Sequence, residues 1–162
     1  MSKKTKNKIL FVLLVGCLLS GCASKVNDKT FEKDDMSIVL TGKFKEDEVA
    51  GQTACYKSPD SIVVILKEGF KIIGTYNTEG VDSFRYAELV AESNGFEYDV
   101  DVIEGIPTFI YHKTVNEKDF AYLTASFKGT DAFYLIQFAC EADRFEELKP
   151  LFIKWAKTFK HS

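Results

Sequence analysis

Residues 133–138 read Phe133-Tyr134-Leu135-Ile136-Gln137-Phe138. Successive side chains of a β-strand point to opposite faces of its sheet. Large apolar side chains occupy both the odd and the even positions of this run. A strand built from it must therefore be covered on both faces, which predicts a central strand between two apolar layers.

Strand patterns recur along the chain, and the last of them contains this run. The runs bounded by turn residues are 36–40, 53–56, 61–66, 97–102, 107–114, 120–128 and 132–140. Short polar turns separate the last three, and Ser58-Pro59-Asp60 separates the second and third. Because short turns join neighbouring antiparallel strands, these runs predict a mostly antiparallel sheet of about six strands. The acidic run Glu46-Asp47-Glu48 predicts a solvated loop.

Two amphipathic helices are predicted, one in mid-chain and one at the C-terminal end. Asp82 is a candidate N-cap for the first helix, and Asn94-Gly95 is a stop signal. The second helix has an apolar stripe at intervals of three and four, made by Phe145, Leu148, Phe152, Trp155 and Phe159. One helix on each face of the sheet satisfies the two-sided strand, so the expected fold is an α+β, α/β/α sandwich.

The second helix has two irregular features. Asp143 and Glu146 have the spacing of a capping box, although Asp replaces the usual Ser or Thr. Pro150 lies inside the apolar pattern, where it is expected to kink the helix or to shift its start.

Residues 30–41, 86–95 and 133–159 resemble small lipoproteins of the Firmicute type that have a Mog1/PsbP-like fold. The resemblance covers almost the whole region after residue 30 and consists of a pattern of strands and helices, without a catalytic signature. It implies the α/β/α sandwich and a role in binding, since known members dock on photosystem subunits or on a small GTPase. It assigns no binding residues to this chain.

The N-terminal segment differs from the rest of the chain. Lys3, Lys4, Lys6 and Lys8 precede an uncharged run at 9–19. Eleven helical residues rise only about 16 Å, which is too short for a hydrocarbon core of about 30 Å. A basic head followed by a short apolar run predicts a secretory signal peptide.

Leu19-Ser20-Gly21-Cys22 resembles the lipobox of bacterial lipoproteins. That resemblance implies removal of residues 1–21 and a lipid, palmitate among its acyl chains, on Cys22, with 22–30 as a tether and 31–162 as the folded domain. Two acyl chains give stable membrane attachment. Leu14-Val15-Gly16-Cys17 also fits the pattern, but cleavage there would leave Leu18 and Leu19 at the mature end.

Removal of residues 1–21 makes the chain strongly acidic. Four of its 21 basic residues lie in the signal, whereas all 24 acidic residues remain, so 17 basic residues face 24 acidic ones and the net charge is −7. Such a surface repels nucleic acid and anionic headgroups. We therefore expect no nucleic-acid partner, and membrane attachment through the lipid on Cys22 and not through a basic patch.

Cys55 and Cys140 are the other cysteines of the mature chain. A compartment outside the cytoplasm permits a disulfide between them. Both lie in predicted strands, where a free cysteine is a common small apolar residue. A Cys55–Cys140 disulfide and two buried thiols are therefore left as alternatives.

No sequence motif for a hydrolase, a nucleotide site, a cofactor or a metal centre is present. His112 and His161 have no ligand partner at metal-binding spacing. Glu97, Asp99 and Asp101 share one face of a predicted strand, where either a cation or solvent and lysines such as Lys113 would relieve their repulsion. Relief by solvent and lysines is the commoner outcome, so we expect no metal site.

The expected function follows from the predicted location at the cell envelope and from the absence of catalytic sequence motifs. We expect a lipid-anchored protein of the cell envelope, facing outside the cytoplasm, whose domain binds another envelope protein and is not an enzyme. The alternative is a small-ligand-binding lipoprotein, or an enzyme with a site built from scattered residues.

Overall fold

Nine strands and two α-helices lie in residues 27–70, 80–95 and 99–162, the residues that the computed structural model describes. The strands are β1 (Asp28–Lys33), β2 (Met36–Thr41), β3 (Lys45–Asp47), β4 (Ala54–Lys57), β5 (Ile62–Gly69), β6 (Asp101–Ile103), β7 (Ile106–Val115), β8 (Lys118–Lys128) and β9 (Ala132–Glu141). The helices are α1 (Ser83–Ser93) and α2 (Phe145–Ala156), and a 3₁₀ turn at Ala142–Arg144 precedes α2.

Seven strands form the main sheet in the order β3-β4-β5-β9-β8-β7-β6. All neighbouring strands of this sheet run antiparallel. β1 and β2 pair separately as an antiparallel hairpin. β9 lies in the middle of the main sheet, as its sequence predicts, and β5 and β8 flank it.

The side chains of β9 alternate between two apolar layers. Tyr134, Ile136 and Phe138 point toward α2 and the β1–β2 hairpin, whereas Phe133 and Leu135 point toward α1. None of these five residues is more than 8% exposed. The predicted α/β/α sandwich is therefore confirmed. As expected from residues 133–138, both faces of the central strand carry large apolar side chains and both are covered.

Aromatic rings fix each helix to the sheet. On one face Phe138 stacks on Phe152 of α2, with ring centroids 5.4 Å apart. On the other face Phe133 stacks on Tyr86 of α1 at 4.3 Å. Burial of side chains of this size contributes the largest stabilising term in a core, about 25 cal/mol for each Å² of apolar surface removed from water.

The termini of α1 agree with the sequence signals. The Asp82 side chain accepts a hydrogen bond from the Arg85 backbone N–H at 2.8 Å, and Asn94 is the C-cap. The start of α2 differs from the prediction, because Arg144 is the N-cap residue and no side chain caps the helix there. The 3₁₀ turn that includes Asp143 occupies the place of the predicted capping box. α2 also continues across Pro150, neither ending nor restarting there.

Three segments near the sheet edges differ from their predicted structures. Residues 45–47 of the expected acidic loop form β3, an exposed edge strand. β1 begins at Asp28 and so includes residues 28–30, which were predicted to be tether. β6 begins only at Asp101, so Asp99 lies outside it, while residues 96–98 lie outside the described part of the chain.

Among the described helices, none combines the length and the apolar character that crossing a bilayer requires.

Candidate functional site

The predicted lipidation residue Cys22, its rival Cys17 and the signal 1–21 lie outside the described residues. The nearest described strand to Cys22 is β1, which starts at Asp28. The position of Asp28 on the domain therefore decides from which side the chain would be tethered.

Asp28 lies on the layer formed by α2 and the β1–β2 hairpin. Its carboxylate is 3.6 Å from Nζ of Lys154 on α2. The preceding residue, Asn27, accepts a hydrogen bond through its carbonyl oxygen from the Gly42 N–H at 2.8 Å. The N-terminal end of the described domain is thus attached to the α2 layer, on the opposite side of the sheet from α1.

A polar cluster at the turn of the hairpin links side chains from four distant segments of the chain. Oδ2 of Asp35 accepts hydrogen bonds from Tyr134 (2.6 Å), Ser162 (2.7 Å) and Nζ of Lys67 (2.9 Å). These donors come from β9, the C-terminal end and β5. The Asp35 cluster, as these four residues are called below, joins the hairpin turn and the C-terminal end to the main sheet.

The electrostatics of the Asp35 cluster favour a structural role. The hydrogen bonds from Tyr134, Lys67 and Ser162 hold the pKa of Asp35 well below its usual range. The hydrogen bond to Asp35 in turn raises the pKa of Lys67. A carboxylate with so low a pKa is too weak a base to take up a proton near neutral pH, and Lys67 keeps the proton that a nucleophilic lysine must lose, so neither group suits such chemistry.

The C-terminal residues pack closely against this cluster. The imidazole of His161 stacks on Tyr134 with ring centroids 4.9 Å apart. The Thr130 N–H donates to the carbonyl oxygen of Ser162 at 3.1 Å. A Cβ placed on Gly129 would lie 2.5 Å from that same oxygen, so only glycine leaves room for the C-terminal residues. His161 is thus a packing residue in this fold.

Aromatic and polar side chains meet on the α1 side of the sheet. Tyr111 and Tyr122 stack in parallel at 4.6 Å, and Nε2 of Gln137 donates to the Tyr111 hydroxyl at 2.7 Å. Burial raises the pKa of Tyr111 to about 12, so its hydroxyl stays protonated. Thr124 lies opposite Gln137 in the β8–β9 register, fully buried, and its Oγ1 has no hydrogen-bond partner among the described residues.

The two cysteines are free, buried thiols on opposite faces of the sheet. Cys140 points to the α2 side of β9. Cys55 lies opposite Val64, which in turn lies opposite Gln137 on the α1 side. Since β5 also separates their strands by about 9–10 Å, the Cα atoms exceed the span of about 7 Å that a disulfide allows. Of the two alternatives left by the sequence, this fold contains the buried thiols.

Of the acidic residues Glu97, Asp99 and Asp101 singled out in the sequence, the last two lie among the described residues. Glu97 lies outside the described residues. Oδ1 of Asp101 accepts a hydrogen bond from the neighbouring Val102 N–H at 2.7 Å. Within the described ranges no three His, Cys, Asp or Glu side chains are grouped so that they could hold a metal ion. His112 is exposed, near the ring of Phe145.

One open groove lies at the start of β8 and the end of β9, in the described part of the chain. It is lined by Lys118, Asp119, Glu141, Ala142 and Asp143. Nζ of Lys118 is 2.8 Å from Oε1 of Glu141, and this contact lowers the pKa of Glu141. The groove is shallow and its only cation is paired, so it offers no preorganised anion or metal site.

Solved structures of the Mog1/PsbP type share this fold. PsbP of the cyanobacterium Synechocystis sp. PCC 6803 matches with a TM-score of 0.52 and 10% identity, over 88% of this chain and 96% of that one. A mutant of protein Mog1 matches with a TM-score of 0.53 and 15% identity, over 83% and 96% of the two chains. The predicted Mog1/PsbP-like fold is therefore confirmed.

A protein of Bacteroides thetaiotaomicron VPI-5482 matches with a TM-score of 0.56 and 10% identity; the alignment covers 83% of this chain but only 48% of that one. Identities this low show a common fold and nothing about activity. Neither a protein-family model nor a curated protein matches the chain.

Proposed function

We propose that this chain is the precursor of a bacterial lipoprotein of the cell envelope. Residues 1–21 are its signal peptide, and Cys22 carries the lipid that holds the domain at a membrane, facing outside the cytoplasm. The observation that carries this proposal is the lipobox Leu19-Ser20-Gly21-Cys22, placed directly after an apolar run of signal-peptide length.

The short tether supports a role close to the bilayer. Asp28, where β1 begins, lies six positions after Cys22. An extended chain gains at most about 3.3–3.6 Å per residue, so Asp28 stays within about 20–22 Å of the anchor. A domain held this close acts on other membrane-bound components more readily than on distant ones.

We propose further that the domain binds another envelope protein and has no catalytic activity. In the Asp35 cluster the pKa of Asp35 is lowered and that of Lys67 is raised, which makes the first a poor general base and the second a poor nucleophile near neutral pH. Function lies in sites placed on a fold and not in the fold itself, and a binding role needs no catalytic constellation.

A small-ligand-binding role is the second candidate. The buried, unpartnered hydroxyl of Thr124 beside Gln137 favours it, because a buried polar atom without a partner costs about 1–3 kcal/mol unless a ligand or water satisfies it. The protein-binding role is preferred, since the short tether holds the domain close to other membrane-bound components.

Metabolic labelling with a clickable palmitate analogue tests the anchor. Cys22→Ala should abolish labelling and release the protein from membranes, whereas Cys17→Ala should leave both unchanged. Continued labelling of the Cys22→Ala protein would overturn the assignment of Cys22. Loss of labelling only in the Cys17→Ala protein would move the anchor to Cys17.

Photo-crosslinking in intact cells tests the binding role. A photoreactive amino acid at exposed positions of α1, such as Glu92 and Ser93, should give one discrete protein adduct common to both positions. The matched control is the same residue at Val49, which is 41% exposed but lies in the loop after β3. Adducts spread over abundant proteins, and equal at all three positions, would count against the proposal.

A further inference from the structure

We propose that the α2 layer is the face that lies against the bilayer and contacts anionic lipid headgroups, while α1 faces away from the membrane. This inference rests on the proposed lipid anchor and deepens it, because it assigns the orientation of the domain and the chemistry of the surface beneath it.

The length of the tether restricts the orientation. Asp28 lies on the α2 side of the sheet, through its contact with Lys154. Layers of a sandwich are about 10 Å apart, and a helix adds about 5 Å beyond its axis, so the outer surface of α1 is about 25 Å from the layer of β1. A tether of at most about 22 Å cannot let α1 rest on the headgroups.

The distribution of charge over the domain favours the same orientation. Residues 27–44 and 142–162, which form the α2 layer, contain eight basic and seven acidic residues. The other described residues, 45–70, 80–95 and 99–141, contain seven basic and fifteen acidic ones. The α2 layer thus has a net charge of +1 and the remainder a net charge of −8, so an anionic surface attracts the first and repels the second.

Half of the eight basic residues of this layer lie in residues 148–162, and Lys154 among them contacts Asp28, where β1 begins. Residues 148–162 contain four lysines and no acidic residue. On α2, Lys154 is 62% exposed and Leu151 is 38% exposed, and Lys157, just after the helix, is 52% exposed. Exposed lysines around an exposed leucine suit a headgroup region, where ammonium groups meet phosphates and apolar side chains meet the acyl boundary.

This surface is an orienting surface and not an attachment site. Asp28 and Glu104 each neutralise one of its lysines, and the whole mature chain carries −7. The lipid on Cys22 therefore provides the attachment, and the charge asymmetry selects the face that is turned to the membrane.

Lysine footprinting on vesicles tests the orientation. The lipidated protein is placed in vesicles of pure phosphatidylcholine or of phosphatidylcholine with one-third phosphatidylglycerol, and exposed amines are acetylated with a water-soluble reagent. Acetylation of Lys154, Lys157 and Lys160 should slow on the anionic vesicles, by up to about fivefold for a lysine at the surface, and recover in high salt. The exposed control lysines Lys45 and Lys113 should keep their rates.

Equal protection of all five lysines, protection of the controls alone, or no change with phosphatidylglycerol would overturn the orientation. A matched pair of variants sharpens the reading: Lys154→Gln with Lys157→Gln should abolish the protection of Lys160, and Lys45→Gln with Lys113→Gln should not.

A second arm separates this inference from the proposed anchor. The mature chain is coupled through the thiol of Cys22 to a maleimide phospholipid, since Cys55 and Cys140 are buried. The coupled protein reports orientation whether or not cells acylate Cys22. If cells fail to label the protein but the coupled protein still shows lysine protection, the lipoprotein proposal alone is rejected. If cells label the protein but the coupled protein shows no lysine protection, the orientation alone is rejected.

Discussion

Replacement of Asp35 by Asn should destabilise the domain by about 2 kcal/mol at neutral pH. Oδ2 of Asp35 accepts from Tyr134, Ser162 and Lys67 at 2.6, 2.7 and 2.9 Å. A hydrogen bond to a charged group contributes about 1.5–3 kcal/mol and a neutral one about 1 kcal/mol. Loss of the charge at three bonds therefore removes about 3 kcal/mol, and the 26% exposure of the Asp35 side chain reduces this figure.

The effect should depend on pH in one direction. The pKa of Asp35 is depressed in the folded protein, so its ionisation stabilises the fold above the unfolded-state pKa of about 3.9. This contribution is lost as the pH falls through that value toward the folded pKa. The difference between the parent and Asp35→Asn should therefore be full at neutral pH and shrink below about pH 4.

Urea denaturation followed by circular dichroism measures both effects. Asp34→Asn is the matched control, because Asp34 is the exposed neighbour at φ 51°, a conformation that Asn also tolerates. The control should change the free energy of unfolding by less than about 0.5 kcal/mol. The reasoning is refuted if Asp35→Asn costs no more than the control, or if its cost is the same at acidic and at neutral pH.

Three further outcomes are expected. Glu117→Gly should stabilise the protein by about 0.5–1 kcal/mol in the same urea assay, because Glu117 has φ 65° in the β7–β8 turn, where glycine is unstrained; a loss of stability would contradict this. Gly129→Ala should lower the melting temperature by several degrees, since its Cβ would clash with the C-terminal backbone, whereas Gly69→Ala, with its nearest atom at 4.0 Å, should have a much smaller effect; equal shifts would reject the clash. Ellman titration of the unreduced mature protein should detect the thiols of Cys55 and Cys140 only after denaturation, because burial raises the pKa of Cys140 to about 11; their absence after denaturation would indicate a disulfide.

Local signals predicted the elements of the fold well. The two-sided apolar run at 133–138 gave a central strand, and Asp82 gave the start of α1, because each depends on residues close together in the chain. β3 was not predicted, since its three residues Lys45, Glu46 and Asp47 are charged and lie in a strand only through pairing with β4. The start of α2 was missed for a similar reason, because no side chain marks it.

The sites divide in the same way. The pattern at 19–22 that resembles a lipobox is contiguous and can be read without the fold, and the same is true of the lysine-rich, acid-free stretch at 148–162. The Asp35 cluster had no signal in the sequence, because its residues are 32, 99 and 127 positions away from Asp35. Only strand order and register bring them together.

By itself, then, the sequence predicted most of the strands, both helices and the faces that must be covered, and it carries the pattern on which the proposed lipid attachment rests. Periodicity, caps and cleavage patterns are short-range, so they are complete in the chain before it folds. The tertiary structure decided that Cys55 and Cys140 lie on opposite faces, that Asp35 meets Lys67, and that Asp28 emerges on the more basic layer. Those outcomes depend on strand order and on the stacking of layers, which are properties of distant segments packed against one another.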